Sequence, residues 1–359
     1  MGSALTVTLF GESHGSALGA VLDGISPGIK VDTKYINEKM NQRKPKGDIS
    51  TKRQETDAVE ILSGVFNGYT TGTPLSIIIR NEDAKSKDYD VMSQLARPSH
   101  GDLTGFYKYG GFEDFRGGGH FSGRITAALV AVGAIVMKAL EDKGIYIGTH
   151  IKNCYGIEDR TFDKYDDDIK NLANLGFPAL DEAKSAQMQE EILKAFEEGD
   201  SVGGILETAV IGLPCGVGEP WFDTVEGMIA HAIFSVPAVK GIEFGAGFGI
   251  TSMKGSEAND PLRYVDGKIV SKSNNSGGIN GGITNGMPVV FRTAIKPTPS
   301  IFKNQETVNF RKGENAELKI IGRHDPAIVH RARAVVDAVT ALTIGDLLTV
   351  HFGTDFLRS

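Results

Sequence analysis

Apolar residues fill nearly every position from 125 to 140 (ITAALVAVGAIVMKAL), with Thr126 and Lys138 as the interruptions. A helix that is apolar all round, rather than along one stripe, is buried on every side. The pattern therefore predicts a helix sandwiched between two layers. Positions 327–342 (AIVHRARAVVDAVTAL) predict a second buried helix, with Asp325 as its N-cap and Pro326 at its first helical position. Before and between these two, alternating or β-branched runs predict strands at 5–10, 17–23, 74–80, 145–154, 201–213, 239–244, 248–254 and 287–295. Residues 59–66 read as a short strand or helix. Helices are predicted over 33–40, capped by Asp32 or Thr33, and over 224–235. The charged stretch 160–199 is mostly helical by pattern, and 187–198 is its most solvent-facing part.

The polar gaps carry the chemistry. Gly117, Gly118 and Gly119 lead into the first buried helix, and His120, Ser122 and Arg124 follow them. A glycine-rich loop feeding a helix N-terminus suits an anion, because unpaired N–H groups and the helix dipole both favour negative charge. The same glycines also fit a plain entry loop. Gly11-Glu12-Ser13-His14-Gly15, at the end of the first strand, is either a polar turn or a site held by the strand. Residues 42–57 are polar and rich in Lys and Arg: a solvated loop, or a basic flap closing on an acidic ligand through Arg43, Lys44 or Lys46. In 97–102 (RPSHGD), Pro98 and Gly101 fix a turn able to aim Arg97, His100 and Asp102 at one point. His100 and His14 together would make an acid/base pair. In Lys296-Pro297-Thr298-Pro299-Ser300 the prolines stiffen a loop with one cation and two hydroxyls, which reads as a phosphate clamp or a stiff surface turn.

Composition narrows the class. The 359 residues are 40% hydrophobic and 23% charged, as in ordinary globular chains, and their 45 dispersed glycines imply many tight turns. A net charge of −7 argues against a nucleic-acid or acidic-membrane partner, so a bound anion needs a local cation cluster. Cys154 and Cys215 form neither a disulfide framework nor a metal motif. The longest apolar run, 127–137, is short for a bilayer span and no signal peptide is visible, so a cytoplasmic location is expected.

Taken together, these segments resemble chorismate synthases over 5–348. The resemblance rests on GESHG at 11–15 with 22–27, on GGGHFSGRITA and its continuation through 140, and on RHDPAIVHRARAVVDAVTA at 323–341. RPSHGD, GLPCGVGEPWF at 212–222, VKGIEFGAGF at 239–248 and KPTPSI at 296–301 fit as well, in the family's order. The resemblance implies an α+β fold: one large β-α-β sandwich domain spanning 1–359, with helices buried between antiparallel sheets, assembled as a homotetramer. It also implies a lyase that converts 5-enolpyruvylshikimate 3-phosphate to chorismate and phosphate by 1,4-elimination, using reduced FMN. In the family's mechanism the flavin lends electron density as phosphate leaves and recovers it as the hydrogen departs. NADPH is the candidate reductant of that flavin. No G-x-G-x-x-G dinucleotide fingerprint follows a strand, consistent with a flavin bound by loops of the sandwich.

Residue by residue, the resemblance assigns catalytic roles to His14, His100 and Asp325. It assigns substrate binding to Ser13, Arg43, Lys46, Arg97, Arg124 and Arg323. Flavin contacts fall on His120, Phe121, Ser122, Pro237, Ala238, Gly281, Lys296, Pro297, Thr298, Pro299, Ser300 and Arg323. The chain departs from the family's usual pattern in four places. The flap has Arg43 followed by Lys44 and Lys46 and is about one residue short; Pro237 replaces a common Asn; His120-Phe121 replace a common Arg or Ser; Asp337 replaces a Glu. Two other functions use the same features: another flavin-dependent phosphate-ester enzyme on this fold, or a non-enzymatic module that binds phospho-anions.

Overall fold

The computed structural model describes residues 1–45, 47, 49–50, 56–81, 94–320 and 324–358. The chain opens with an antiparallel hairpin, β1 (Thr6–Gly11) and β2 (Ala17–Asp23), followed by helix α1 (Thr33–Arg43). Asp32 caps α1, its carboxylate accepting from the Tyr35 amide at 3.0 Å. Strands β3 (Val59–Ser63) and β4 (Leu75–Arg80) complete a four-stranded antiparallel sheet in the order β1-β2-β4-β3. The turn helix α2 (Asp102–Tyr109) and the long α3 (Thr126–Asp142) come next.

A second antiparallel sheet follows, built from β5 (Tyr146–Cys154), β6 (Ile157–Glu158), β7 (Gly204–Ile211), β8 (Val239–Phe244) and β9 (Val289–Ile295). Its order is β8-β9-β7-β5-β6. Helices α4 (Tyr165–Leu172) and α5 (Glu182–Glu197) lie between β6 and β7 in the chain, and α6 (Val225–Ile233) precedes β8. The last helix is α7 (Val329–Phe352).

The layers stack as the apolar pattern predicts. Helix α3 packs on β2 and β4 of the first sheet, α7 packs on β5 and β7 of the second, and α3 and α7 pack on each other. Every residue from Thr126 to Leu140 except Lys138 is buried, because neither helix keeps a face toward water. Both pass the length and hydropathy test for a membrane span as helices (Gly123–Asp142 and Val329–Phe352), but 89% and 83% of those windows is buried inside the protein.

Close approach sets the crossing of α3 and α7. A Cβ on Gly133 would stand 2.5 Å from the Ala338 Cβ, and one on Gly345 would stand 2.7 Å from Val136 Cγ1. Contacts advance in the same direction along both helices, from Gly133–Ala338 to Val136–Gly345, so α3 and α7 run parallel. Helix α1 runs the opposite way against α3. Its Tyr35 meets Glu141 near the end of α3, and its Arg43 meets Thr126 at the start. Two helix N-termini and one C-terminus thus share one end of the filling layer.

Some expectations change. Residues 248–254 are not a strand; Gly247–Ser252 form an exposed 3₁₀ turn, where glycines and exposed apolar side chains find no sheet neighbour. Asp325 is not a helix cap: α7 begins at Val329 with Ile328 as N-cap, and it continues ten residues beyond the predicted end at 342. The segment 59–66 is strand in two pieces. Helix α5 is only partly solvent-facing, since Met188, Ile192 and Ala195 are buried. Asp337, the departure in the last helix, is enclosed and accepts a hydrogen bond from Thr149 Oγ1 at 2.6 Å; burial pushes its carboxyl up.

Candidate active site

Three glycines hold the first part of the site together. Gly117, Gly118 and Gly119 take φ values of 60°, 88° and 51°, in the region where side chains are strained. A Cβ on Gly117 would stand 2.2 Å from His14 Cε1 and 3.0 Å from Ser13 Oγ, so the loop backbone lies directly against this pair. The Ser13 amide donates to Gly119 O at 3.0 Å, and His120 Nδ1 donates to Gly11 O at 2.8 Å. Ser13 and His14 are buried at 3% and 8% exposure. On its other side the loop faces Arg97, whose Nη2 is 3.7 Å from where a Gly118 Cβ would sit.

In the RPSHGD turn Arg97 and Asp102 answer each other, while His100 turns to Pro98 O and Ser300 rather than to the same point. Arg97 Nε and Nη2 donate to the two oxygens of Asp102 at 2.7 and 2.6 Å, a bidentate pair. Pro98 O, a pure acceptor, lies 3.0 Å from His100 Nδ1, which therefore carries the ring proton. His100 Nε2 is then an acceptor, and Ser300 Oγ donates to it at 2.9 Å. Burial, and next the nearby Arg97 cation, hold the His100 pKa down at about 4. At neutral pH this imidazole is uncharged. Phe121 covers the turn, with its ring over Gly101 and Gly105 and tilted against Tyr109.

The 296–300 loop docks onto the same turn. Lys296 Nζ donates to Ser99 O at 2.6 Å, and its amide donates to Ala238 O at 3.0 Å. The second bond brings Pro237-Ala238 beside the loop, with Ala238 at φ 75°. Burial, then Lys240, lower the Lys296 pKa. Thr298 O accepts from Ser201 Oγ at 2.6 Å, but Thr298 Oγ1 is buried without a hydrogen-bond partner. Pro297 and Pro299 flank it. Gly281 is not part of this cluster. It turns the hairpin at the N-terminal end of α6, where Gly282 O accepts from Val225, whereas Pro237-Ala238 follow the C-terminal end. The nine residues of α6 hold them roughly 13 Å apart along the axis.

The predicted flap arginine is not on a free loop. Arg43 is the last residue of α1, at 6% exposure. Its Nε donates to Thr126 Oγ1 at 2.9 Å and its Nη2 to Gly123 O at 3.1 Å, which ties α1 to the start of α3. Its Nη1 reaches Asp57 Oδ2 at 3.4 Å. Arg124 pairs with the other oxygen of the same carboxylate and donates through Nε to Asn81 Oδ1 at 3.2 Å. Asn81 Nδ2 in turn donates to Glu12 O and Gly15 O at 3.1 and 2.8 Å, clamping the His14 turn. Ser122 accepts from the Arg124 amide at 3.2 Å. Asp325 pairs with Arg331 of α7, whose Nε donates to Arg43 O at 2.9 Å. Lys46 and Arg323 lie outside the described residues.

Sequence reasoning did not single out Asp57, Asn81, Arg331 or His324. Asp57 and Asn81 are isolated polar residues at loop ends, with no local spacing to mark them; Arg331 lies in a helix read as core. His324 was visible beside Asp325. Its Nε2 is buried without a hydrogen-bond partner, and burial and Arg97 lower its pKa against the opposing pull of Asp325.

A flavin phosphate fits this arrangement. The unpartnered Thr298 hydroxyl, the Lys296 ammonium and Ser300 share one loop, tied through Ser99 and His100 to the turn whose Arg97 faces the Gly118 backbone. Among the described residues no cluster of His, Cys, Asp and Glu could hold a metal ion.

Comparison with known proteins agrees with this geometry. A family model described as chorismate synthase matches residues 5–349. The chorismate synthase of Korarchaeum cryptofilum is 46% identical over 347 residues, which cover 96% of each chain. That of Pyrococcus abyssi is also 46% identical over 347 residues, covering 97% of this chain and 96% of the relative. A crystal structure of a chorismate synthase superposes with a TM-score of 0.80 at 30% identity, covering all of this chain and 95% of the other. With sandwich, buried helices and sequence in agreement along its length, the chain belongs to the chorismate synthase family.

Proposed function

We propose that this protein converts 5-enolpyruvylshikimate 3-phosphate to chorismate and phosphate with reduced FMN, the last step of the shikimate pathway. One observation carries the reading: His14 and Arg97 lie against one glycine loop, neutral His100 ties that turn to the Lys296 loop through Ser300, and Asp325 pairs with Arg331 at the start of α7. That environment suits a polyanion and a proton transfer together.

Bound reduced FMN supplies transient electron density to a carbon–oxygen cleavage that no side chain can drive alone. The chain's own residues bind, orient and move protons. Lys296, Thr298 and Ser300 hold the flavin phosphate, with Pro237-Ala238, His120, Phe121, Ser122 and Pro297–Pro299 of the loop shaping the rest of its seat. Ser13, Arg97 and Arg124, with Lys46 and Arg323, meet the substrate's carboxylates and phosphate. An anion arriving beside Lys296 draws the Ser300 hydroxyl away from His100 and leaves Nε2 ready to take a proton. Asp325 assists removal of the departing hydrogen as a proton. Burial of His14 against Gly117 excludes water from that side.

We further propose that residues 1–359 work as one domain, that four copies assemble, that Gly281 contributes to flavin binding, and that the enzyme is cytoplasmic. Support for one domain comes from a contiguous buried core that runs from Leu5 to Leu357. Support for assembly comes from large apolar side chains left in solvent, among them Trp221, Phe222 and Phe248, exposed at 83%, 94% and 81%. The test is anaerobic turnover of the substrate with dithionite-reduced FMN, following chorismate by absorbance. Product with reduced but not oxidised flavin is expected, and added NADPH with oxidised FMN identifies any intrinsic reductase activity. Folded, FMN-binding protein that makes no chorismate would overturn the reading in favour of another phosphate-ester substrate.

A further inference from the structure

Two successive residues in the first turn of α7 reach out of the helix to the same segment. His330 Nε2 and Ser50 Oγ are 2.7 Å apart, both buried, at 4% and 7% exposure, and Phe177 stacks on the imidazole. Arg331 Nε donates to the carbonyl of Arg43, the last residue of α1. With its Nη1 the same guanidinium holds Asp325. Side-chain exposures of 19% for Arg331 and 12% for Asp325 keep this pair largely out of water.

The fork of an arginine fixes two acceptors at a defined angle, so a guanidinium held by a backbone carbonyl is pre-aligned for a carboxylate. A carbonyl at a helix C-terminus has spare acceptor capacity and carries the negative end of the dipole, which favours a cation there. Asp325 lies in the loop before α7 and does not cap that helix. Its direction is set by a side-chain partner on α7.

We propose that Arg331 is a positioning residue for Asp325, aligned by the Arg43 carbonyl and steadied by the neighbouring His330–Ser50 bond. The inference rests on the reading of Asp325 as proton acceptor. It adds that the ordering of α1's end and of Ser50 is transmitted to that carboxylate through one guanidinium. Arg331 itself touches neither substrate nor cofactor in this account.

The test uses full-length protein and four variants: Arg331→Ala, Arg331→Lys, Asp325→Asn and the Arg331→Ala/Asp325→Asn double. Thermal unfolding without ligands comes first. Each single change is expected to lower Tm, and the double no further than the larger single effect; additive losses would overturn the pairing. In anaerobic turnover, Arg331→Ala is expected to lower kcat on the order of 10–100-fold, as a misaligned group does. KM and the FMN Kd should stay within about two-fold, because no binding contact is removed. Arg331→Lys, which keeps the charge but not the fork, should recover part of kcat. Unchanged kcat, or a loss shared equally by KM and FMN affinity, would overturn the positioning role. Wild-type protein without turnover would sink the reading of the reaction and with it the role of Arg331, while the unfolding cycle still decides whether the two side chains are coupled.

Discussion

Arg43 and Arg124 meet on one carboxylate, each pairing with a different oxygen of Asp57, and all three side chains are at most 8% exposed. Helix α1, the start of α3 and the loop before β3 are thereby joined at the edge of the site. Removing one partner of a buried ionic cluster is far more disruptive than never building it, because the remaining charges stay desolvated. Asp57→Ala should destabilise the protein by about 3–5 kcal/mol, read as a shifted urea midpoint. A midpoint within experimental error of wild type would refute the account.

His100 is a proton-linked group. Its folded-state pKa of about 4 lies below the ordinary histidine value of 6.5, so the unfolded chain takes up a proton first as pH falls. The ligand-free protein should therefore lose stability between pH 6.5 and 4, and His100→Asn should flatten that part of the profile. An anion bound beside Lys296 offsets the Arg97 field and raises the pKa. Proton uptake on FMN binding near pH 6, measured by calorimetry in buffers of different ionisation heat, should shrink in His100→Asn. Equal uptake in both proteins would count against the assignment.

Thr298 separates stability from affinity. Its hydroxyl has no hydrogen-bond partner in the protein, so Thr298→Val should leave Tm unchanged or slightly raised. A hydrogen bond to a charged phosphate is worth roughly 1.5–3 kcal/mol, so FMN should bind about 10–100-fold more weakly. Undiminished FMN affinity would remove Thr298 from the phosphate seat.

Gly117→Ala adds a methyl at φ 60° where His14 Cε1 lies 2.2 Å away. Either the loop or the imidazole must move. We expect turnover to fall by roughly 100-fold or more, the size seen when a catalytic group is misplaced by about an ångström. Retained turnover would mean that His14 is not needed where it stands.

Gly133 is different, because it lies in the core. Gly133→Ala puts a methyl 2.5 Å from the Ala338 Cβ, and overpacking of this kind destabilises by about 1–3 kcal/mol. Differential scanning calorimetry should register the loss. FMN affinity at permissive temperature should be kept.

Much of this was legible along the chain. The buried helices announce themselves because enclosure on all sides removes the amphipathic stripe, and α3 and α7 appear where the pattern puts them. β-rich runs located most strands of the two large sheets, though not the small hairpins 262–271 and 305–318. The failures have local causes. Residues 248–254 have strand-like composition but no sheet neighbour, and composition cannot report a missing neighbour. Asp-Pro at 325–326 satisfies the rules for a helix start, but α7 begins only at Val329, after Ala327 and Ile328. Site residues in glycine-flanked turns could be nominated, and His14, His100 and Lys296 lie in one neighbourhood. Their supporting partners could not. Asp57, Asn81 and Arg331 act on residues 14 to 288 positions away, and nothing in the local pattern encodes such pairings.

The parallel crossing at Gly133 and Ala338 also restricts how this chain can change its length. From that contact α3 runs back to Thr126, just after Arg124, and α7 runs back past Arg331 to Val329. One residue inserted on either side, between the crossing and the site, would swing everything before it by about 100° and shift it about 1.5 Å. Insertions and deletions near the site should therefore be tolerated in the loops ahead of the helices and rejected within their first turns. The number of residues from each helix start to the crossing belongs to the active site as much as any side chain in it.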